Sequence, residues 1–132
     1  MLKPLLHYGI VLVVFFAIDM VWLGVIAKNL YAKYLGYLMA PQVNWIAAVL
    51  FYLLFILGLL VFVIEPALIQ QDHLKLILSA ALFGLVTYAT YDLTNLATIK
   101  DWPMVITLID LTWGMSLSVI VSTLSYLILI RL

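Results

Sequence analysis

Three aspartates, Asp19, Asp92 and Asp110, each interrupt a long stretch of apolar residues. An ionisable residue inside a membrane-spanning segment costs about 2.5–3.5 kcal/mol at the helix centre on insertion scales, and it usually faces protein rather than lipid. Carboxyl groups in such a place can exchange protons, bind a cation or act in general acid–base catalysis. These three side chains are therefore the first candidates for a functional site.

The three acids are expected to lie at one depth in the membrane. Asp19 lies about eight residues before the end of the first apolar run, Asp92 about seven before the end of the third, and Asp110 about six after the start of the fourth. With a rise of about 1.5 Å per residue, each carboxyl lies roughly 9–12 Å below the same membrane surface. Because three neighbouring carboxylates repel one another, they cannot all be ionised at low cost.

Aromatic and polar residues near the acids predict a pocket. Tyr88, Asp92 and Asn95 share one helical face, and Trp22 and Trp113 each follow an aspartate by one turn. Catalytic residues cannot be assigned from this pattern. The predicted binding pocket comprises Asp19, Trp22, Tyr88, Tyr91, Asp92, Asn95, Asp110 and Trp113.

The elements that must position these residues are transmembrane helices. The chain has 132 residues, of which 68% are hydrophobic and 9% are charged, whereas a soluble domain is about half apolar and about a quarter charged. Four apolar runs, at about 4–27, 44–64, 74–99 and 104–130, each reach the roughly 20 residues that cross a bilayer as an α-helix. The sequence therefore predicts an all-α integral membrane bundle of four transmembrane helices, forming a single domain over residues 1–132.

The connections between the four runs are short. Glu65-Pro66 is expected to end the second helix, and Asp72 is expected to cap the third. Residues 100–103 predict a tight turn that makes the third and fourth helices antiparallel neighbours. The tyrosines of residues 28–41 are expected to anchor the chain at the headgroup level rather than contact a ligand.

Composition excludes several classes of function. Six basic and six acidic residues give no net charge, so no nucleic-acid partner is expected, because such binding needs a basic surface. The chain has no cysteine, which excludes disulfides and thiolate metal sites. His7 and His73 are expected at the membrane interface rather than in catalysis or metal binding. No metal and no cofactor are predicted.

The segment Tyr91–Thr98, followed by Lys100 and Trp102-Pro103, resembles a family of small bacterial four-helix membrane proteins catalogued as domain of unknown function 2177. Asp101 departs from the glycine expected in this turn. The resemblance implies a protein of the bacterial inner membrane, and it implies no activity or substrate. Further similar segments are 19–24, 50–55 and 110–114.

The orientation is only weakly specified by charge. Basic residues divide three against three between the two sides, so the positive-inside rule gives no preference. The N-terminal amine favours an orientation with both termini in the cytoplasm, and this is the expected topology.

Three functions fit these residues. The leading hypothesis is a pocket that binds or transports a small polar or cationic species, or protons, with membrane lipids as neighbours and a homodimer where transport needs more than four helices. A second is a membrane-embedded enzyme acting on a lipid or isoprenoid-like substrate, since a protonated acid and an ionised partner can serve as acid and base. A third is a structural or accessory subunit in which the acids only order helix packing. Whether the protein is an enzyme is left open.

Overall fold

The computed structural model describes residues 2–132, and over these residues it contains helices and no strand. A short connecting helix, Leu30–Leu35, follows the first long helix. The prediction of an all-α membrane protein with four transmembrane helices is confirmed. The four helices long and apolar enough to cross a membrane are span 1 (Leu2–Ile26), span 2 (Trp45–Gln70), span 3 (His73–Thr98) and span 4 (Met104–Leu129).

Span 2 continues past the proline that was expected to end it, so its predicted end at residue 64 is wrong. A proline inside a helix lacks an N–H and collides with the carbonyl four residues earlier. Here the π-helical segment Leu60–Ile64 precedes it, and the Glu65 N–H bonds to the carbonyl of Leu60, five residues back. The wider turn has already changed the hydrogen-bond register when the chain reaches Pro66, so the helix runs on to Gln70.

The helix ends are set by local hydrogen bonds. Asp72 caps span 3 as expected, because its side chain accepts a bond of 3.1 Å from the N–H of Lys75. Asn44 does the same for span 2, accepting from Ala47 at 3.2 Å. In the turn between spans 3 and 4, Asp101 adopts a φ of 61°. This left-handed conformation explains why glycine suits the position and why aspartate, which tolerates it, can replace glycine.

Spans 3 and 4 are antiparallel neighbours that approach closely at two glycines. A Cβ on Gly84 would meet the carbonyl oxygen of Gly114 and the hydroxyl of Ser118, and a Cβ on Gly114 would meet the ring of Tyr88. Ser118 and Ser122 are fully buried. The small residues at 114, 118 and 122 therefore act in helix packing, which is a common role for small residues spaced by four in membrane helices.

The apolar core fills the half of the bundle nearest the chain ends. Val11 and Phe15 of span 1 pack there against Ile56 and Ile64 of span 2 and Val121 of span 4. At the same end, the His7 ring and the Glu65 carboxyl form a hydrogen bond between spans 1 and 2. The other half of the bundle contains the three aspartates.

Gly84→Ala is expected to lower the free energy of unfolding by about 1–3 kcal/mol, because the added methyl group meets the backbone of span 4 and the helices must separate. This loss should appear although alanine favours helix over glycine by about 1 kcal/mol. Unfolding of the purified protein in detergent, followed by circular dichroism, measures it.

Gly9→Ala is the matched control, since a Cβ at Gly9 has nothing within 4 Å. It should leave stability equal or raised. Equal stability of Gly84→Ala and Gly9→Ala would contradict the close approach of spans 3 and 4.

Candidate functional site

A cleft of about 560 Å³ lies in the half of the bundle away from the chain ends. All four spans and the connecting helix contribute side chains to it. The residues that line it are Asp19, Trp22, Leu23, Tyr31, Leu35, Met39, Phe51, Tyr52, Thr87, Tyr88, Tyr91, Asp92, Asp110 and Trp113.

The three aspartates that line this cleft are all buried, with exposed fractions of 4% for Asp19, 0% for Asp92 and 7% for Asp110. No lysine, arginine or histidine is among the described residues that line the cleft. A buried charge without an opposite charge is unfavourable, so the site needs protons or a bound cation for neutrality.

Asp110 is held by a tyrosine from the connecting helix. The Tyr31 hydroxyl donates to Oδ1 of Asp110 at 2.6 Å and accepts from Nε1 of Trp22 at 3.3 Å. Burial, and next the hydrogen bond to Asp110, raise the pKa of the Tyr31 hydroxyl above its ordinary value. Tyr31 therefore stays protonated at neutral pH and remains a donor to the carboxylate.

Two stacked indoles connect the surroundings of Asp110 with those of Asp19. The rings of Trp22 and Trp113 lie 4.3 Å apart at an angle of 9°. The donors beside the Asp19 carboxyl are the Tyr52 hydroxyl and the Trp113 indole N–H. Trp22 opens the π-helical segment Trp22–Ile26, and such segments occur often at functional sites.

Asp92 differs from the other two acids in its hydrogen bonding. Neither of its carboxyl oxygens has a hydrogen-bond partner among the described residues, although the side chain is fully buried. Its polar neighbours are the carboxyl of Asp110 and the hydroxyl of Thr107. Because an unpaired buried polar group costs about 1–3 kcal/mol and more when charged, Asp92 is the position where a bound donor would gain most.

The structure brings seven of the eight predicted pocket residues to the cleft and leaves Asn95 out. Asn95 follows Asp92 by three residues, which places it about 60° around the helix and about 4.5 Å nearer the helix end. Tyr91 lies at the rim, 58% exposed, with its ring edge-to-face against Trp102 at 5.9 Å. The predicted role of Asn95 in the pocket is therefore not supported by its position.

Two tyrosines of the cleft were not predicted to belong to it. Tyr52 was the only polar side chain in the middle of span 2, and that isolation was a usable signal. Tyr31 had no such signal, because three tyrosines repeat at the same spacing in the connection. Only the folded structure separates them: Tyr37 bonds the backbone oxygen of Asp101 at 2.6 Å, and Tyr34 lies beside the Lys33 ammonium at 5.2 Å.

Tyr31→Phe is expected to loosen the connecting helix over the cleft. The variant loses a hydrogen bond to a carboxylate, a type of bond that contributes about 1.5–3 kcal/mol. Hydrogen exchange followed by mass spectrometry should show faster exchange of residues 28–40.

Tyr34→Phe is the control for this measurement, because Tyr34 lies in the same helix and does not line the cleft. Its exchange should equal that of the unmodified protein. If both variants exchange alike, the Tyr31–Asp110 bond does not hold the connection in place.

A family model described as "Predicted membrane protein (DUF2177)" matches residues 4–127. No curated protein and no solved structure matches the chain. The family description states a membrane location and no activity, so a functional argument must start from the cleft itself.

Proposed function

The chain belongs to the DUF2177 family of predicted membrane proteins, and we propose that its cleft binds a small cation in exchange for protons. The observation that carries this proposal is the burial of Asp19, Asp92 and Asp110 around a cleft with no basic lining residue. Protons and a cation are alternative ways to neutralise the same carboxyls. A cation that enters the cleft therefore displaces protons from it.

The shape and lining of the cleft suit an organic ammonium group. Its volume of about 560 Å³ falls within the range of about 300–1,000 Å³ that small-molecule sites occupy. The stacked rings of Trp22 and Trp113 and the ring of Tyr88 offer π faces that attract a cation. The unpartnered oxygens of Asp92 supply acceptors for ammonium N–H groups.

The site opens to one side in this conformation. The apolar core and the His7–Glu65 hydrogen bond occupy the opposite half of the bundle, so passage across the membrane would require a second conformation. We place the protein in the bacterial inner membrane with both termini in the cytoplasm, which directs the cleft towards the outer leaflet. A homodimer would supply the additional helices that a complete conduit needs.

A second function, enzymatic action on a lipid, is favoured by one observation. The carboxyls of Asp92 and Asp110 are adjacent, and such a pair can hold one proton and act as acid and base. Lipid extracts from cells with and without the gene test this function. A lipid that accumulates only without the gene supports the enzyme, and identical profiles count against it.

Asp92→Asn is expected to weaken cation binding at least about tenfold, which corresponds to about 1.4 kcal/mol. The amide keeps the size of the side chain and removes the negative charge that the cation neutralises. Calorimetry with butylammonium, together with proton release into weakly buffered solution, measures both parts of the exchange on the purified protein.

Asp101→Asn is the control, because Asp101 is exposed in the turn between spans 3 and 4 and asparagine tolerates its φ of 61°. It should bind butylammonium like the unmodified protein. The proposal is contradicted if Asp92→Asn binds butylammonium as tightly as the unmodified protein, or if the unmodified protein does not bind it. If only the unfolding midpoint changed, the acids would serve helix packing alone.

A further inference from the structure

Residues of spans 2 and 3 face each other across the cleft, with Phe51 and Tyr52 on one side and Thr87, Tyr88 and Tyr91 on the other. Span 2 approaches span 3 along its π-helical segment Leu60–Ile64. Nearer its start, the contact is made by aromatic rings, with Phe55 lying 5.3 Å from Phe83 and 6.1 Å from Tyr88. Towards residue 45 the two helices separate, and the gap between them leads into the cleft.

The rim of this gap is apolar and exposed. Phe51 on span 2 is 49% exposed and Met39 of the connection is 55% exposed, and both line the cleft. Neither carries a polar group that would bind a hydrated ion on its way in. Phe51 lies six residues into span 2, about 9 Å from the start of that helix, so its exposed face meets the acyl chains of the surrounding leaflet.

A bare metal ion does not fit the acids. Within residues 2–132, no group of three histidine, cysteine, aspartate or glutamate side chains is arranged to hold a metal ion. A hydrated cation would also have to cross the apolar rim, at a large cost in hydration. An amine with an alkyl body avoids both difficulties, because its charged end reaches the acids while its apolar part stays against the rim.

We propose that the cleft takes an amphiphilic alkylamine that enters sideways from the leaflet through the gap between spans 2 and 3. Its ammonium group binds at Asp92 and Asp110, and its alkyl chain lies along Phe51 and Met39 towards the lipid. This inference rests on the proposed cation-binding function and adds the substrate class and the route of entry.

The first experiment compares ethylammonium with octylammonium on the full chain in lipid nanodiscs, with empty nanodiscs used to correct for partitioning into lipid. Octylammonium should bind at least about tenfold more tightly than ethylammonium after this correction, because its chain is buried against the apolar rim. Equal corrected affinities would overturn the alkylamine assignment and leave cation binding intact. Binding of neither amine would instead overturn the proposed function itself.

The second experiment tests the route of entry and uses the absence of cysteine from the chain. Phe51→Cys and Leu54→Cys are each labelled with the same bulky maleimide before reconstitution. Phe51 lines the cleft, whereas Leu54 is 67% exposed on the same helix and does not line it. The label at position 51 should reduce octylammonium binding at least about tenfold, as expected when a bulky group fills an apolar site.

The label at position 54 should leave the affinities for octylammonium and ethylammonium unchanged. If the two labelled variants bind octylammonium equally well, entry between spans 2 and 3 is wrong. If the label at 51 abolishes ethylammonium binding too, the label disturbs the acids, and Phe51→Ala replaces it. That smaller side chain should lower octylammonium affinity alone, and no change would overturn the contact with Phe51.

Discussion

A carboxyl group buried in a membrane protein must be neutralised or hydrogen-bonded. This requirement explains the arrangement of side chains in the half of the bundle that holds the three aspartates. Asp110 is satisfied by Tyr31, which the connecting helix brings over the cleft. Asp19 has the Tyr52 hydroxyl and the Trp113 indole beside it. Asp92 accepts no hydrogen bond among the described residues, although the Thr107 hydroxyl and the Asp110 carboxyl lie beside it. The three acids are thus not equivalent, because Asp92 alone among them has both carboxyl oxygens buried without a hydrogen bond among the described residues.

This unsatisfied acid depends on tight packing elsewhere in the bundle. The contact between Gly84 and Gly114 brings spans 3 and 4 together and seats the Tyr88 ring against the second glycine. Asp92 and Asp110 lie on these two helices, so the same contact sets the distance between their carboxyls. Buried acids keep fixed positions only on rigidly packed helices, because loosely packed helices could rotate the carboxyls towards water.

Much of this arrangement could be predicted from the sequence, for physical reasons. Lipid forces apolar segments of sufficient length to become helices, so the four spans followed from hydropathy. The fixed rise of a helix placed Asp19, Asp92 and Asp110 at one depth, and the structure puts all three in one cleft. Helical spacing could not exclude Asn95, because a rotation of about 60° decides whether a side chain reaches the cleft.

The structure differs from the sequence-based prediction where long-range interactions decide the outcome, because no local sequence pattern contains them. Tyr31 reaches Asp110 across 79 positions of sequence, and nothing in the spacing of the tyrosines indicates which one makes the bond. The continuation of span 2 past Pro66 depends on the π-helical segment before it, whose residues Leu60–Ile64 are ordinary apolar residues. The first feature adds a donor to the cleft, whereas the second lies outside the cleft, where span 2 contacts span 3.

Neutralisation by an outside species has a consequence for how such a site works. Under the proposed function, protons and a cation compete for the same carboxyls, so each would lower the affinity of the cleft for the other by the same factor. The occupant is then set by the pH and the amine concentration on the side to which the cleft is open. Because the core and the His7–Glu65 pair fill the other half of the bundle, the proposed exchange would take place at one face of the membrane. Opening that half would turn the same competition into coupled movement of the two species, with no further binding site required.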